Sequence, residues 1–168
     1  PKYTHPQSPN YRFRLLPTDK KLACLDAILG FHTSVAQKDY VAIDFYDGSI
    51  MYDFATGATT ICDVDFYCPS PMINDMGRMW GSSRFMSPEE FERGATIDEI
   101  TNVFTMGATA FELLGSNKTR SLEDWDAPEA LFAIARKATS PARGDRYQSI
   151  NEFYAAWKHY SSSCTLSK

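Results

Sequence analysis

Between Thr18 and Gln37, Leu22, Leu25, Ile28, Leu29, His32, Val35 and Ala36 recur at three- to four-residue steps. That is the period of a helix with one buried face. Pro17 and Thr18 give it a start, and Asp19 suits the positive end of the helix dipole. From residue 40 the period shortens. Residues 40–53 and 59–66 read as extended, with Ile50 and Tyr52 facing one side and Met51 and Asp53 the other. Asp47-Gly48 and Thr56-Gly57 are turn signals. Residues 67–87 hold Pro69, Pro71, Gly77, Gly81 and several serines and read as a long irregular loop, a feature usually functional or mobile. Helical period then returns. Thr96-Ile97-Asp98-Glu99 has the form of a capping box, followed by Ile100, Val103, Phe104, Gly107, Ala110, Phe111 and Leu114, with Gly115 as a stop. This helix is apolar over much of its circumference. Pro128 opens another helix to Ala138, with Leu131, Ile134 and Ala135 inward. Ser149-Ile150-Asn151-Glu152 is a second capping box, ahead of Phe153, Trp157 and Tyr160 as inward positions. The tail, 161–168, is expected to fray. No internal repeat is present.

The order of elements predicts an α+β fold, mainly α-helical, with one small antiparallel β-ribbon on its face. At 168 residues the chain is expected to be one domain, burying about 70% of its unfolded surface. A 43% hydrophobic content with 14% aromatic is that of a folded protein. The net charge of −4 and pI of 5.3 come without a basic patch, which argues against a nucleic-acid partner. Anionic ligands stay open, because a metal can carry the positive charge. Cys24, Cys62, Cys68 and Cys164 form no CxxC pair and no zinc-spaced cluster, and Cys24 and Cys62 lie in apolar runs that predict burial. These features fit a reduced, cytoplasmic setting. No apolar run of about 18 residues predicts a membrane span, and no signal peptide is recognisable. The polar, proline-containing opening, 1–14, reads as a linker or hinge, so further residues are expected upstream.

The run Val41–Phe66 holds the candidate chemistry. Asp44 precedes Ser49 by five residues, and Asp63 and Asp65 fall on the next apolar strand. Two strands with a short turn would bring these groups to one edge, a layout that suits a divalent metal and a polyphosphate beside a proton acceptor. The same VAIDFYDGSIMYDF pattern is also an Asp-Gly hairpin, in which Asp44 is an ordinary carboxylate near a turn.

Five segments, in order, resemble the C-terminal lobe of a protein kinase. VAIDFYDGSIMYD (41–53) is similar to the catalytic loop and its following strand, with Asp44 at the Asp position and Ser49 at the Asn position. ICDVDF (61–66) is similar to the strand that ends in the metal-binding Asp-Phe-Gly, with Asp63 at the Asp. GSSRFMSPEEF (81–91) resembles the end of the activation segment, with Ser87-Pro88-Glu89 for Ala-Pro-Glu. TNVFTMGATAFELLG (101–115) resembles the central buried helix, and SPARGDRYQSINEF (140–153) the approach to the last helix. The resemblance covers about residues 15–158 and leaves 15–160 as a kinase-like lobe. No Gly-rich loop and no phosphate-binding lysine precede it. A missing N-terminal lobe is thus an implied partner, and the isolated chain is expected to be inactive.

The resemblance implies an ATP- and Mg²⁺-dependent phosphotransferase similar to a serine/threonine protein kinase, passing the γ-phosphate to a hydroxyl on a protein or small molecule. Asp44 would be the catalytic base, a role worth roughly 10²–10⁴-fold. Asp63 would hold Mg²⁺ at the nucleotide phosphates, with Ser49 and Asp65 as further metal ligands. Ser82 and Ser83 would belong to the substrate-facing activation segment, with Tyr67, Ser70 and these serines as candidate phosphate acceptors or simply as polar loop residues. Glu89 and Arg146 would form a buried bidentate ion pair that braces this segment. His32 is expected at the core edge.

Several positions depart from the family. Ala42 and Ile43 stand for His-Arg, Tyr46 for the lysine after the base, Val64 and Asp65 for Phe-Gly, and Asn102 for the central helix's aspartate. The losses suit a pseudokinase acting as a binding or regulatory module. Tyr46 and Asp-Val-Asp suit a small-molecule kinase instead.

Overall fold

A buried helix organises the molecule. The computed structural model describes residues 4–116 and 118–164. The helices are α1 (Pro9–Arg14), α2 (Thr18–Ala36), α3 (Glu99–Leu114), α4 (Glu129–Ala138) and α5 (Ile150–Cys164). Every residue of α3 from Thr101 to Leu114 is buried, and α2, α4 and α5 all pack on it. Leu25, Ile28 and Leu29 of α2, Met106, Ala110 and Phe111 of α3, Leu131 and Ala135 of α4, and Phe153 and Trp157 of α5 share this core. A helix enclosed on all sides cannot leave polar side chains bare. The hydroxyls of Thr105 and Thr109 therefore donate to the carbonyls one turn back, Thr101 (3.4 Å) and Thr105 (2.8 Å). Gly107 permits the close approach of the end of α4: a Cβ there would stand 2.8 Å from both Ala138 Cβ and Thr139 Cγ2.

The strands form three antiparallel pairs rather than one ribbon. β1 (Tyr40–Val41) pairs with β4 (Cys68–Pro69), β2 (Ile50–Tyr52) with β3 (Thr59–Ile61), and β5 (Met72–Ile73) with β6 (Thr96–Ile97). The Thr56-Gly57 turn joins β2 to β3, with Gly57 at φ 78°. Asp47-Gly48 makes no hairpin. Residues 47–49 are a turn of 3-10 helix, because β1 finds its partner in β4 and not in β2. A second, smaller core of Val41, Ile43, Met79, Met86 and Ile97 lies beneath the residue 79–97 excursion.

Other expectations shift by small amounts with clear causes. The opening is not all linker: residues 9–14 are helical and bury Phe13. Asp98, not Thr96, caps α3; its carboxylate accepts the Ile100 N–H at 2.9 Å, while Thr96 is taken by the β5–β6 ladder. Ser149 Oγ accepts the Glu152 N–H (3.0 Å), but the Glu152 carboxylate takes the Gln148 N–H (2.9 Å) rather than closing the box. Tyr160 stays 45% exposed, its ring edge-on to His159. Cys62 is only half-buried. α5 runs through Cys164, so the expected frayed tail begins as helix, and 165–168 lie outside the described residues. No helix among the described residues is long and apolar enough to cross a membrane.

Candidate active site

Asp44 is turned outward between buried neighbours. Ala42, Ile43 and Phe45 are each 3–4% exposed, and Asp44 alone in this stretch is half-buried. Its backbone lies in the left-handed region, φ 59°, a conformation that aspartate tolerates better than most residues. The loop is fixed on both sides of it. Before it, the Asn102 side chain of α3 accepts the Ala42 N–H at 2.7 Å and donates to the Ala42 carbonyl at 2.8 Å. After it, the Phe45 ring packs on His32, 4.5 Å between centroids.

His32 is fully enclosed and carries the support further. Its Nδ1 lies 2.8 Å from the Ile28 carbonyl and its Nε2 2.9 Å from the Tyr67 hydroxyl. The carbonyl can only accept, so Nδ1 holds the proton and Nε2 accepts from Tyr67. Burial lowers the His32 pKa to about 4, against the backbone bond that favours the charged ring. Burial also raises the Tyr67 phenol well above its usual value. The Tyr67 hydroxyl is thus committed to His32.

Asp63 and Asp65 lie past the end of β3, not on it. Asp63 is exposed with φ 55°, and Asp65 is exposed in the turn closed by the Tyr67 N–H to Val64 carbonyl bond (3.1 Å). The Ser49 carbonyl accepts the Cys62 N–H at 3.0 Å, which ties the loop after Asp44 to the residue before Asp63. The structure therefore brings Asp44 and Asp63 to one face. Partial burial raises the Asp44 pKa, and the charge of Asp63 raises it further. Among the described residues no three His, Cys, Asp or Glu side chains gather as a metal-holding group. Asp63 and Asp65 are both exposed, and a Mg²⁺ that takes one or two carboxylates and completes its shell with water and phosphate could use them. Ser49 differs: it is fully buried, and its hydroxyl accepts the Tyr46 N–H (3.5 Å) inside the turn.

The 79–91 segment reaches the same face. A Cβ on Gly81, whose φ is 137°, would stand 3.5 Å from Asp44 Oδ1, so main chain lies directly against the carboxylate. Ser82, half-buried, and Ser83, exposed, follow in a turn closed by the Phe85 N–H to Ser82 carbonyl bond (2.8 Å). Behind them Glu89 and Arg146 meet, Nη1 to Oε1 at 2.7 Å and Nη2 to Oε2 at 2.9 Å, with both residues buried. Burial alone would raise the Glu89 carboxyl, but the Arg146 bond and the nearby Arg charges hold it below its usual value. The neighbouring Glu90 accepts the Ser87 N–H (2.6 Å) and Ser87 hydroxyl (3.0 Å), yet burial lifts its pKa to about 7.

Some residues of this region escaped the sequence reading. Arg143 adds a bond to Glu89 (2.8 Å) and grips both oxygens of Asp98 (2.8 and 2.7 Å). Asn74 gathers the 74–95 excursion, donating to the carbonyls of Gly77, Glu89 and Glu92 and accepting the N–H groups of Met76 and Gly77. Arg84 bridges Glu112 (2.6 Å) and Asp47 (3.1 Å). Each joins positions far apart in sequence, so periodicity carries no trace of them. No protein-family model matches the chain, and no curated protein matches it.

Proposed function

We propose that the chain is the C-terminal lobe of an ATP- and Mg²⁺-dependent phosphotransferase of the protein kinase type, working with an ATP-binding lobe beyond these residues. The observation that supports this reading most is the pairing of Asp44 with Asp63. Both are left-handed aspartates on one face, close enough for one charge to raise the other's pKa, with the Gly81 main chain alongside. In this reading Asp44 orients the acceptor hydroxyl and takes its proton. Asp63, with Asp65, would hold Mg²⁺, which supplies positive charge to the nucleotide phosphates. Gly81, Ser82 and Ser83 border the acceptor's place. Glu89 and Arg146 hold that border still.

The test uses the full-length protein. Calorimetry should show Mg·ATP binding that Asp63→Asn abolishes; unchanged affinity in that variant removes the metal assignment. Transfer from radiolabelled ATP should reach either a peptide pool with serine and threonine or a panel of sugars, choline and aminoglycosides, and Asp44→Asn should stop it. The enclosed Ser49 hydroxyl favours a second reading, a pseudokinase used for binding. Equal phosphate incorporation by wild type and Asp44→Asn would favour that reading over the first.

A further inference from the structure

Asp47 and Glu112 are two carboxylates whose side chains are only 3% and 4% exposed. Asp47 opens the 47–49 turn, three residues after Asp44, and Glu112 lies near the end of α3. Ionised acids buried this far need a cation, since a charge left unpaired there is strongly destabilising. Arg84 answers both: Nη1 reaches Glu112 Oε2 at 2.6 Å and Nη2 reaches Asp47 Oδ1 at 3.1 Å. Arg84 belongs to the turn that begins at Ser82. Arg120 holds that turn from its other side, donating to the Arg84 carbonyl at 2.8 Å.

The turn is thus attached to the Asp44 loop at two points. Gly81 lies against Asp44 at one end, and Arg84 grips Asp47 at the other. Ser82 and Ser83 stand between the two. We propose that Arg84 is a positioning residue for the acceptor. By joining the 82–85 turn to Asp47 and Glu112, it sets the gap between Asp44 and a hydroxyl that lies along Gly81 and Ser82. This role rests on the phosphotransferase reading. Lysine cannot replace it fully. An ammonium supplies a charge beside the acids but lacks the planar fork that takes one carboxylate on each arm.

The experiment compares full-length wild type with Arg84→Lys, which keeps a cation beside the buried acids and so retains the fold. Transfer is read on the serine/threonine peptide pool and on the panel of sugars, choline and aminoglycosides. Amide hydrogen exchange is read in parallel. A displaced reacting group typically costs up to about 100-fold, so the expected fall in kcat is between about 10- and 100-fold, with KM for Mg·ATP unchanged. Exchange of amides 82–86 should quicken about tenfold or more while α3 keeps its protection. An unchanged kcat in a wild type that does transfer phosphate overturns the positioning role alone. A raised KM for Mg·ATP, or faster exchange throughout α3, marks a merely structural role and also overturns it. A wild type without transfer to any acceptor overturns the phosphotransferase reading, and the acceptor role falls with it.

Discussion

Arg146 meets Glu89 with both arms of its guanidinium, at 2.7 and 2.9 Å, where its side chain has no exposure and that of Glu89 has 5%. The remaining donors of Arg146 reach the carbonyls of Ser140, Pro141 and Ile100. Arg146→Ala would take the donor from Glu89 Oε2, leaving Arg143 and Thr101 on Oε1, and would remove a donor from each of these carbonyls. The expected loss is about 3–5 kcal/mol in urea denaturation. A loss below about 1 kcal/mol would mean that Arg143 alone satisfies Glu89.

Two buried groups near neutrality pull stability in opposite directions. The Glu90 pKa is raised from 4.5 to about 7, so its contribution is full below about pH 4.5 and is lost as pH rises through about 7. The His32 pKa is lowered from 6.5 to about 4, so its contribution is full above about pH 6.5 and is lost as pH falls through about 4. Each is worth about 3 kcal/mol at most. Between about pH 4.5 and 6.5 the two slopes cancel. Wild-type stability should be nearly flat there, Glu90→Gln should weaken on acidification, and His32→Gln should strengthen. Denaturant midpoints across that range read all three, and parallel profiles would refute the assignment.

Tyr67→Phe removes the hydroxyl that His32 Nε2 accepts and nothing else of size. A buried acceptor left without a donor costs about 1–3 kcal/mol. The same change frees the stretch after Asp63. Faster amide exchange over residues 62–69, with α3 unaltered, is the expected signature.

Gly107→Ala sets two effects against each other. Alanine is worth about 1 kcal/mol over glycine within a helix. The new methyl would meet Ala138 and Thr139 at 2.8 Å and the Ala135 carbonyl at 3.1 Å, and such overpacking costs about 1–3 kcal/mol. Backbone atoms of α4 cannot swing aside as a long side chain would, so the variant should lose stability by about 1 kcal/mol. A gain in thermal midpoint would show that α4 yields.

The four long helices were legible because each buries a face whose period survives in the sequence. α3 is the clearest case, since two of its buried polar positions, Thr105 and Thr109, bond back to their own helix. Asp47-Gly48 is a turn, as its residues signal, but of 3-10 helix and not of a hairpin. A turn signal is local, whereas the strand that claims Val41 is at Cys68. The cap of α3 was misplaced by two residues for the same reason, as Thr96 is held by Ile73 across a ladder. Tyr160 keeps the helical step but stays 45% exposed, its ring edge-on to His159 rather than in the core. Within the candidate site the aspartates stood out by their apolar flanks. Arg84, Asn74 and Arg143 did not, because a lone polar residue in a loop shows no partner until the chain has folded.

Asn102 gives the Asp44 loop a latch of a particular kind. One amide accepts from Ala42 and donates back to it, which a carboxylate could not do, having only acceptors. The latch carries no net charge. It has no proton to gain in acid and presents nothing for salt to screen, so the loop should keep its hold on α3 in media that loosen Arg84 and Arg143 from their acids.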